Sequence, residues 1–358
     1  SYTEGDVTKT TTQAITVAKV LDRIAVTTPP SRTSYFSGES FSTSGMVVTA
    51  YYTDDSSAAV SGYTYSPTGA LAAGNKTITI SYSEGGVTKT TTQAITVTTI
   101  STTLNSNSWA TIKAVSDAGQ GDNYWDVGDT KTITINGTVQ GFTFSNLSIA
   151  VFILGFNHNS SREGSNRIHF QIGKISSKLV GLCDNSYGSY VSSGFCMNTS
   201  RTNSGGWNGS YMRKTVLGNS GTPTSPPANS LLAALPADLR AVMKPITKYS
   251  DNTGGGNNTA SYVTATTDYL TLLAEFEYHG SRSYANSAEQ NYQKQYDYYK
   301  AGNSKVHYRH DNTGTAVTVW TRSANAGGSD DFCLVYTDGT PANNTADHSW
   351  ALAPGFAA

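Results

Sequence analysis

The sequence predicts an all-β sandwich at the N-terminus followed by a larger domain of mixed α+β type. Three observations carry this reading: a tandem repeat, period-two alternation of β-branched residues, and a composition change near residue 100. Residues 1–17 read SYTEGDVTKTTTQAITV and residues 81–97 read SYSEGGVTKTTTQAITV, identical at fifteen of seventeen positions. Such identity at a fixed offset marks a repeated module. One full copy is expected over 18–98, with 1–17 as the terminal strands of a preceding copy and the true N-terminus upstream. All five Trp and all three Cys lie beyond the repeat. A linker is therefore expected over 99–107 and a second domain over 108–358.

Within the full copy, Arg23–Thr27 alternates and stops at Pro29-Pro30. Met46–Tyr52 ends at Asp54-Asp55-Ser56, Lys76–Tyr82 runs into a Gly85-Gly86 turn, and Ala94–Val97 closes the module. Short alternating strands between turn signals indicate a sandwich. In the second domain, Trp109–Val115 predicts a short helix. Lys131–Ile135 and Ser148–Leu154 predict strands, and Ser230–Met243 predicts helix divided by Pro236 and ended by Pro245. Tyr269–Phe276 is apolar enough for a strand or a short helix. Tyr292, Tyr296, Tyr298 and Tyr299 are expected to stack in a core or at an interface.

Composition narrows the function. Only 14% of the 358 residues are charged and the net charge is −1, against roughly 25% charged in ordinary globular chains. Affinity for nucleic acid rests on clustered Lys and Arg, so no nucleic-acid partner is expected. No apolar run reaches the ~20 residues of a membrane span. The 22 Tyr and 11 Phe, among abundant Ser and Thr, suit β-structure displayed outside a cell. Cys183 and Cys196 either close a short disulfide loop or remain buried thiols; Cys333 has no evident partner.

Catalytic and cofactor motifs are missing. The histidines form no H-E-x-x-H, and there is no G-x-S-x-G elbow, Walker loop or G-x-G-x-x-G after a strand. Neither metal nor cofactor is expected. Glu275 and Glu277 would share a face on a strand, yet nothing marks a glycosidase cleft beside them, and ion pairs with Arg282 or Arg322 are the expected use.

The first module resembles the bacterial Ig-like repeats of surface proteins. The resemblance rests on Ile24, Val26, Thr27 and Pro29, then Tyr35, Gly38, Glu39, Phe41, Gly45, Met46, Val48, Ala50 and Tyr52. In that family such modules act as spacers. The C-terminus, W-x-R-S at Trp320–Ser323, F-C-x-V-x-x-D-G at Phe332–Gly339 and A-P-x-F at Ala353–Phe356, resembles C-type-lectin-fold proteins of gut bacteria and their phages. Gly206-Trp207, Ser210–Arg213, Leu235-Pro236, Leu239-Arg240, Glu289-Gln290, Gln295–Tyr299 and Gly302–Lys305 add matches.

Some of those relatives are variable proteins of diversity-generating retroelements, in which adenine-directed mutagenesis varies the last segment. The codons so varied cannot become Lys, Glu, Gln, Met or Trp, and none of the five occurs between Ser323 and Ser349. The resemblance therefore implies a phage-borne or bacterial-surface protein that binds a protein or glycan ligand on a lectin-fold scaffold. An enzyme of the formylglycine-generating or glycan-active type, and a purely structural decoration, are the alternatives on the same fold. Formylglycine chemistry needs a copper-binding cysteine pair, which Cys333 does not complete.

On this resemblance the ligand-binding residues are Asn325, Ser329, Asp330, Asp331, Leu334, Tyr336, Asp338, Thr340, Asn343, Asn344, Asp347, His348 and Trp350. Phe332, Cys333 and Val335 are expected in the core, with a bulge where Phe332 and Cys333 break alternation. Leu334 and Tyr336 are expected to point outward together. The Asn, Asp, Ser, Thr and His positions are expected on connecting loops at one exposed end, with Trp350 as an aromatic anchor.

Overall fold

The computed structural model describes residues 1–15 and 19–358, and the chain divides into two compact units, Ser1–Ile100 and Ser101–Ala358. The expected boundary at 17/18 falls outside the described residues.

In the first unit, β1 (Tyr2–Glu4) and β2 (Val7–Lys9) form a hairpin with Tyr2 opposite Lys9. Strands β3 (Leu21–Thr28), β4 (Ser34–Phe36), β5 (Val47–Tyr52), β6 (Ser57–Val60), β7 (Thr64–Ser66), β8 (Gly74–Glu84) and β9 (Val87–Thr98) follow. They build a three-stranded sheet, β3-β5-β6, and a four-stranded one, β4-β9-β8-β7. Alternation decides which side chains face inward: Val48, Ala50 and Tyr52 of β5 and Ile95 and Val97 of β9 are buried. They join Leu21, Ile24, Tyr35, Phe41 and Ile78 in one core. Strands β8 and β9 pair from Gly74↔Val97 to Glu84↔Val87. They turn at Gly85-Gly86 with φ of +58° and +77°, the positive pair that a two-residue hairpin of this twist requires. Tyr82 faces Lys89 just as Tyr2 faces Lys9, so the repeated sequence forms the same hairpin twice.

The second unit takes in Ser101–Asn107, which composition alone assigned to a linker. Leu104 and Asn107 are buried, and Trp125 Nε1 donates to Ser101 O at 3.0 Å. Helix α1 (Trp109–Asp117) is capped by Ser108, whose hydroxyl accepts from Thr111 N. Then come β10 (Thr130–Val139), β11 (Phe142–Phe156), α2 (Ser160–Glu163), β12 (Ile168–Ile175), β13 (Lys178–Gly181) and α3 (Gly206–Gly209). Helices α4 (Leu231–Ala234) and α5 (Ala237–Arg240) are separated at Pro236, as expected of a ring that lacks an N–H. The remainder is β14 (Ile246–Asp251), β15 (Val263–Asp268), α6 (Glu275–His279), α7 (Asp297–Lys300), β16 (His307–Arg309), β17 (Ala316–Val317), β18 (Val319–Ala324), β19 (Asp331–Val335), β20 (Pro341–Thr345) and β21 (Gly355–Ala357). A seven-stranded sheet runs β10-β11-β12-β13-β16-β17 with β21 paired to β12. The β14-β15 hairpin and the β18-β19-β20 meander are separate sheets. Tyr296, Tyr298 and Tyr299 pack into the core beside Phe152, Leu273 and Val335.

A buried ion network ties four distant segments together. Arg322 of β18 donates through Nη2 to Glu277 Oε1 at 2.8 Å, and through Nη1 to Glu277 Oε2 and to Leu272 O. Its Nε donates to Ser250 Oγ at 2.8 Å. Lys248 Nζ of β14 donates to Glu163 Oε2 at 2.7 Å, and to Glu277 Oε1 and Tyr296 OH at 2.9 Å each. Glu277 thus uses Arg322, one of its two expected partners, but from a short helix rather than a strand. Glu275 pairs with neither arginine; its carboxylate accepts the backbone N–H groups of Ser283, Tyr284 and Ala285.

Burial sets the acid response of this unit. It pushes the His158 imidazole down to about 3, with the Lys248 charge adding to it, and His279 and His307 down to about 4. These rings are neutral in the fold and protonated in the unfolded chain below about 6.5. Stability therefore falls as pH drops through that window. Glu289 opposes them between about 7 and 4.5, because burial lifts its carboxyl to about 7 and folding takes up its proton. Against the burial that would raise it, Arg322 and Lys248 hold the Glu277 carboxyl well below the usual range, so its contribution is complete above about 4.5 and is lost progressively as pH falls below it. Urea unfolding should show stability falling from pH 6.5 to 4.5 and more steeply below, with a shallower slope in His158→Phe. Stability that is flat from pH 7 to 4 would refute this balance.

Candidate binding face

The meander that carries most of the predicted residues is built on a strand buried on both sides. Phe332, Cys333, Leu334 and Val335 are all buried, Leu334 at 2% exposure. The expectation that Leu334 points outward with Tyr336 is corrected: β19 lies between β18 and β20, and both of its faces are covered by the unit. The irregularity expected at Phe332-Cys333 falls on the partner strand. Trp320 pairs with Leu334 and Ala324 with Phe332, so β18 carries the extra residues.

Register then divides the predicted residues. Asp331 faces Thr345 and Val335 faces Pro341, so the two turns of the meander lie at opposite ends of the sheet. One end holds Asn325, Ser329, Asp330 and Asp331, with Ala346 N bonded to Asp330 O and Asp347, His348 and Trp350 following. Tyr336, Asp338 and Thr340 sit at the other end, where Tyr336 N donates to Thr340 O. Asp331 opens β19, and Asn343 and Asn344 are on β20, so none of the three is in a loop as expected. Asn325 is buried at 7% exposure, and its Oδ1 accepts Gly327 N inside the turn. A single exposed end carrying every predicted residue is therefore not what the fold provides.

A segment absent from the prediction completes the first end. Residues 188–191 zip along 347–349: Gly188 N donates to Ser349 O, Ser349 N to Ser189 O and Val191 N to Asp347 O. Tyr190 consequently meets His348, ring centroids 3.9 Å apart; His348 stacks on Trp350 at 5.6 Å, and Trp350 meets Tyr187 edge-on at 5.2 Å. Trp350 is half-buried within this ladder, and Tyr190 is 63% exposed. Asp184 anchors the segment, accepting from Ser186 N, Phe195 N and Ser349 Oγ at 2.9, 2.9 and 2.6 Å. Beside Tyr190 runs an open groove of about 430 Å³, lined by Gln140, Phe142, Asn185, Ser186, Ser192 and Ser193 among others. Arg201 pairs with Asp330 at 3.0 Å. Burial, and then the neighbouring Asp330, raise the Asp331 carboxyl. Burial lowers the His348 imidazole against the pull of Asp347. The signal for this segment was its composition: DNSYGSYVSSG at 184–194 is rich in the Tyr, Ser, Gly and Asn favoured in adaptable binding loops.

The edge of the meander is interrupted at both ends of β20. Pro341 has no N–H to give, Thr345 N is taken by Asn344 Oδ1 at 2.7 Å, and Thr345 O accepts from His348 N. Such interruption blunts strand pairing with another chain. All three thiols are free and buried, and burial pushes Cys183 and Cys196 up to about 12. Among the described residues, His158, Glu163 and Glu277 form the one His and carboxylate group compact enough for a metal ion. The Lys248 ammonium stands 2.7 and 2.9 Å from the two carboxylates and supplies the positive charge there.

Residues 28–98 match the family described as bacterial Ig-like domain (group 3), so the N-terminal unit contains an Ig-like domain. Residues 190–357 match the family described as Domain of unknown function (DUF6273). That match begins at Tyr190 and takes in the meander, while β10 to β13, whose sheet it shares through β16, β17 and β21, lie outside it. No curated protein matches the chain. No helix among the described residues is long and apolar enough to cross a membrane.

Because Leu334 is core, Leu334→Ala should lower the unfolding free energy by about 2–5 kcal/mol. A denaturant midpoint within error of wild type would return it to the surface.

Proposed function

We propose that this chain, an N-terminal bacterial Ig-like domain followed by a mostly β second unit, is a ligand-binding protein and not an enzyme. On this reading the second unit is a C-type-lectin-like scaffold of the retroelement-varied kind, displayed on a phage virion or a bacterial surface, with Ig-like modules as spacers. The carrying observation is the Tyr187–Trp350–His348–Tyr190 ladder, set beside a polar groove and the Ser329-Asp330 turn that leads into β19. Tyr and Trp supply contact area at low entropic cost, while Asn and Ser adapt their hydrogen bonds. The ligand is a protein or glycan of a bacterial cell surface. Chemistry has little support by comparison. The strongly perturbed groups Glu163, Glu277, His158 and Cys333 are all buried, and burial lifts the Cys333 thiol far above the range in which a thiolate forms.

The test is biosensor binding of the purified chain to panels of bacterial surface glycans and surface proteins. For any ligand found, Tyr190→Ala combined with His348→Ala should weaken binding at least about tenfold, whereas Tyr336→Ala at the far end should leave it unchanged. Loss through Tyr336 and not through the pair would move the site, and turnover of a thiol peptide or glycan would overturn the non-catalytic reading. Diversification has its own check: a near-duplicate of the C-terminal coding segment, differing at adenines, beside a reverse-transcriptase gene.

A further inference from the structure

Asn203 is fully buried although it lies in a polar loop. Its Nδ2 stands 3.2 Å from Asn325 O, 2.7 Å from Gly328 O and 2.8 Å from Asp331 O, three backbone acceptors sharing two protons. Its Oδ1 accepts from Gly255 N at 2.7 Å, and its own N–H donates to Ser329 O at 2.8 Å. Gly254 makes this approach possible: with φ of +67°, a Cβ there would lie 2.0 Å from Asn203 O. Three loops therefore converge on one carboxamide. Every contact it makes with the 325–331 turn is to backbone. The side chains at the tip of the turn take no part in this anchoring, since Ser329 is exposed and Asp330 reaches out to Arg201.

We infer that Asn203 is the positioning residue of the binding face, holding the Asn325–Asp331 turn by its carbonyls so that Ser329 and Asp330 are presented in a fixed place whatever their identity. Without the carboxamide the carbonyls of Asn325 and Gly328 lose this donor, while Asp331 O keeps Asn325 N. A carbonyl that loses its donor inside the fold is unfavourable, so the carboxamide governs how well this turn is ordered. The inference deepens the proposed reading, in which the turn belongs to the ligand face. Its test uses no ligand, so it fails or stands separately from binding.

Hydrogen exchange on the whole chain reads it. In Asn203→Ala the amides of Ala326 and Gly327, bonded to Tyr284 O and Asn325 Oδ1 in the wild type, should exchange about tenfold faster or more. Those of Phe170 and Ile172 in β12 should stay as slow as in wild type. Asn203→Asp, which keeps the shape and removes both donors, should give the same local increase. Ser329→Ala and Asp330→Ala should leave all these rates within about twofold. Unchanged turn exchange in both Asn203 variants overturns the inference, as does an equal increase from Ser329→Ala or Asp330→Ala. So does failure of both Asn203 variants to fold, which would make the residue one of global stability instead.

Discussion

The second unit depends on the pairing of Arg322 with Glu277. Both are fully buried, and neither charge is tolerable there without the other. Arg322 belongs to β18, the first strand of the meander, and Glu277 to α6; Lys248 extends the pairing to Glu163 of α2. Two cations and two carboxylates cancel, and the residual hydrogen-bond demands go to Ser250, Leu272 and Tyr296. A well-packed apolar cluster would stabilise such a core at least as well. What the ions add is direction: a bidentate guanidinium admits one placement of β18 against α6, and β19 and β20 inherit that placement through their register.

Frame and face use polar groups in opposite ways. Within the frame, buried side chains satisfy each other or the backbone: Asp184 gathers Ser186, Phe195 and Ser349, and Glu275 gathers three consecutive N–H groups. At the face, backbone groups are held from outside, and side chains such as Tyr190 and Ser329 remain exposed. Exposed side chains of this kind can change with little consequence for folding, whereas Asn325, Asn344 and Ser349 beside them bond to the frame.

How much of this the sequence disclosed follows the range of the interactions. The sandwich was legible because alternation and turn residues act over a few positions, and the hairpin at Gly85-Gly86 could be placed to the residue. Strands β4, β6 and β7 were not, being three or four residues long and too short to show a period. Leu334 was misplaced because alternation assumes one wet face, and β19 has none. The division of the predicted residues between two ends follows from strands of five residues joined by successive turns, a consequence of register that residue types alone do not express. Opposite charge suggested Arg322 as a partner for Glu277, but Lys248 and Glu163 come from segments too remote for any spacing rule to link.

The placement of charge bears on what the unit can do. Catalytic groups work with perturbed proton affinities at a place a substrate can reach. Here the perturbed carboxylates of the interior are held by neighbouring side chains and backbone groups. Glu277 is held ionised by two cations, and Glu289 is lifted by burial while accepting from Ser323, Asp251 and Gln293. The accessible end offers instead an aromatic ladder, amides, hydroxyls and an Arg–Asp pair in water. Exposed ion pairs of that kind contribute little affinity by themselves but select against partners of the wrong charge. Area from the rings with discrimination from the polar turn is the physics of recognition, and it is this division, interior charge for geometry and surface rings for contact, that favours a binder over a catalyst.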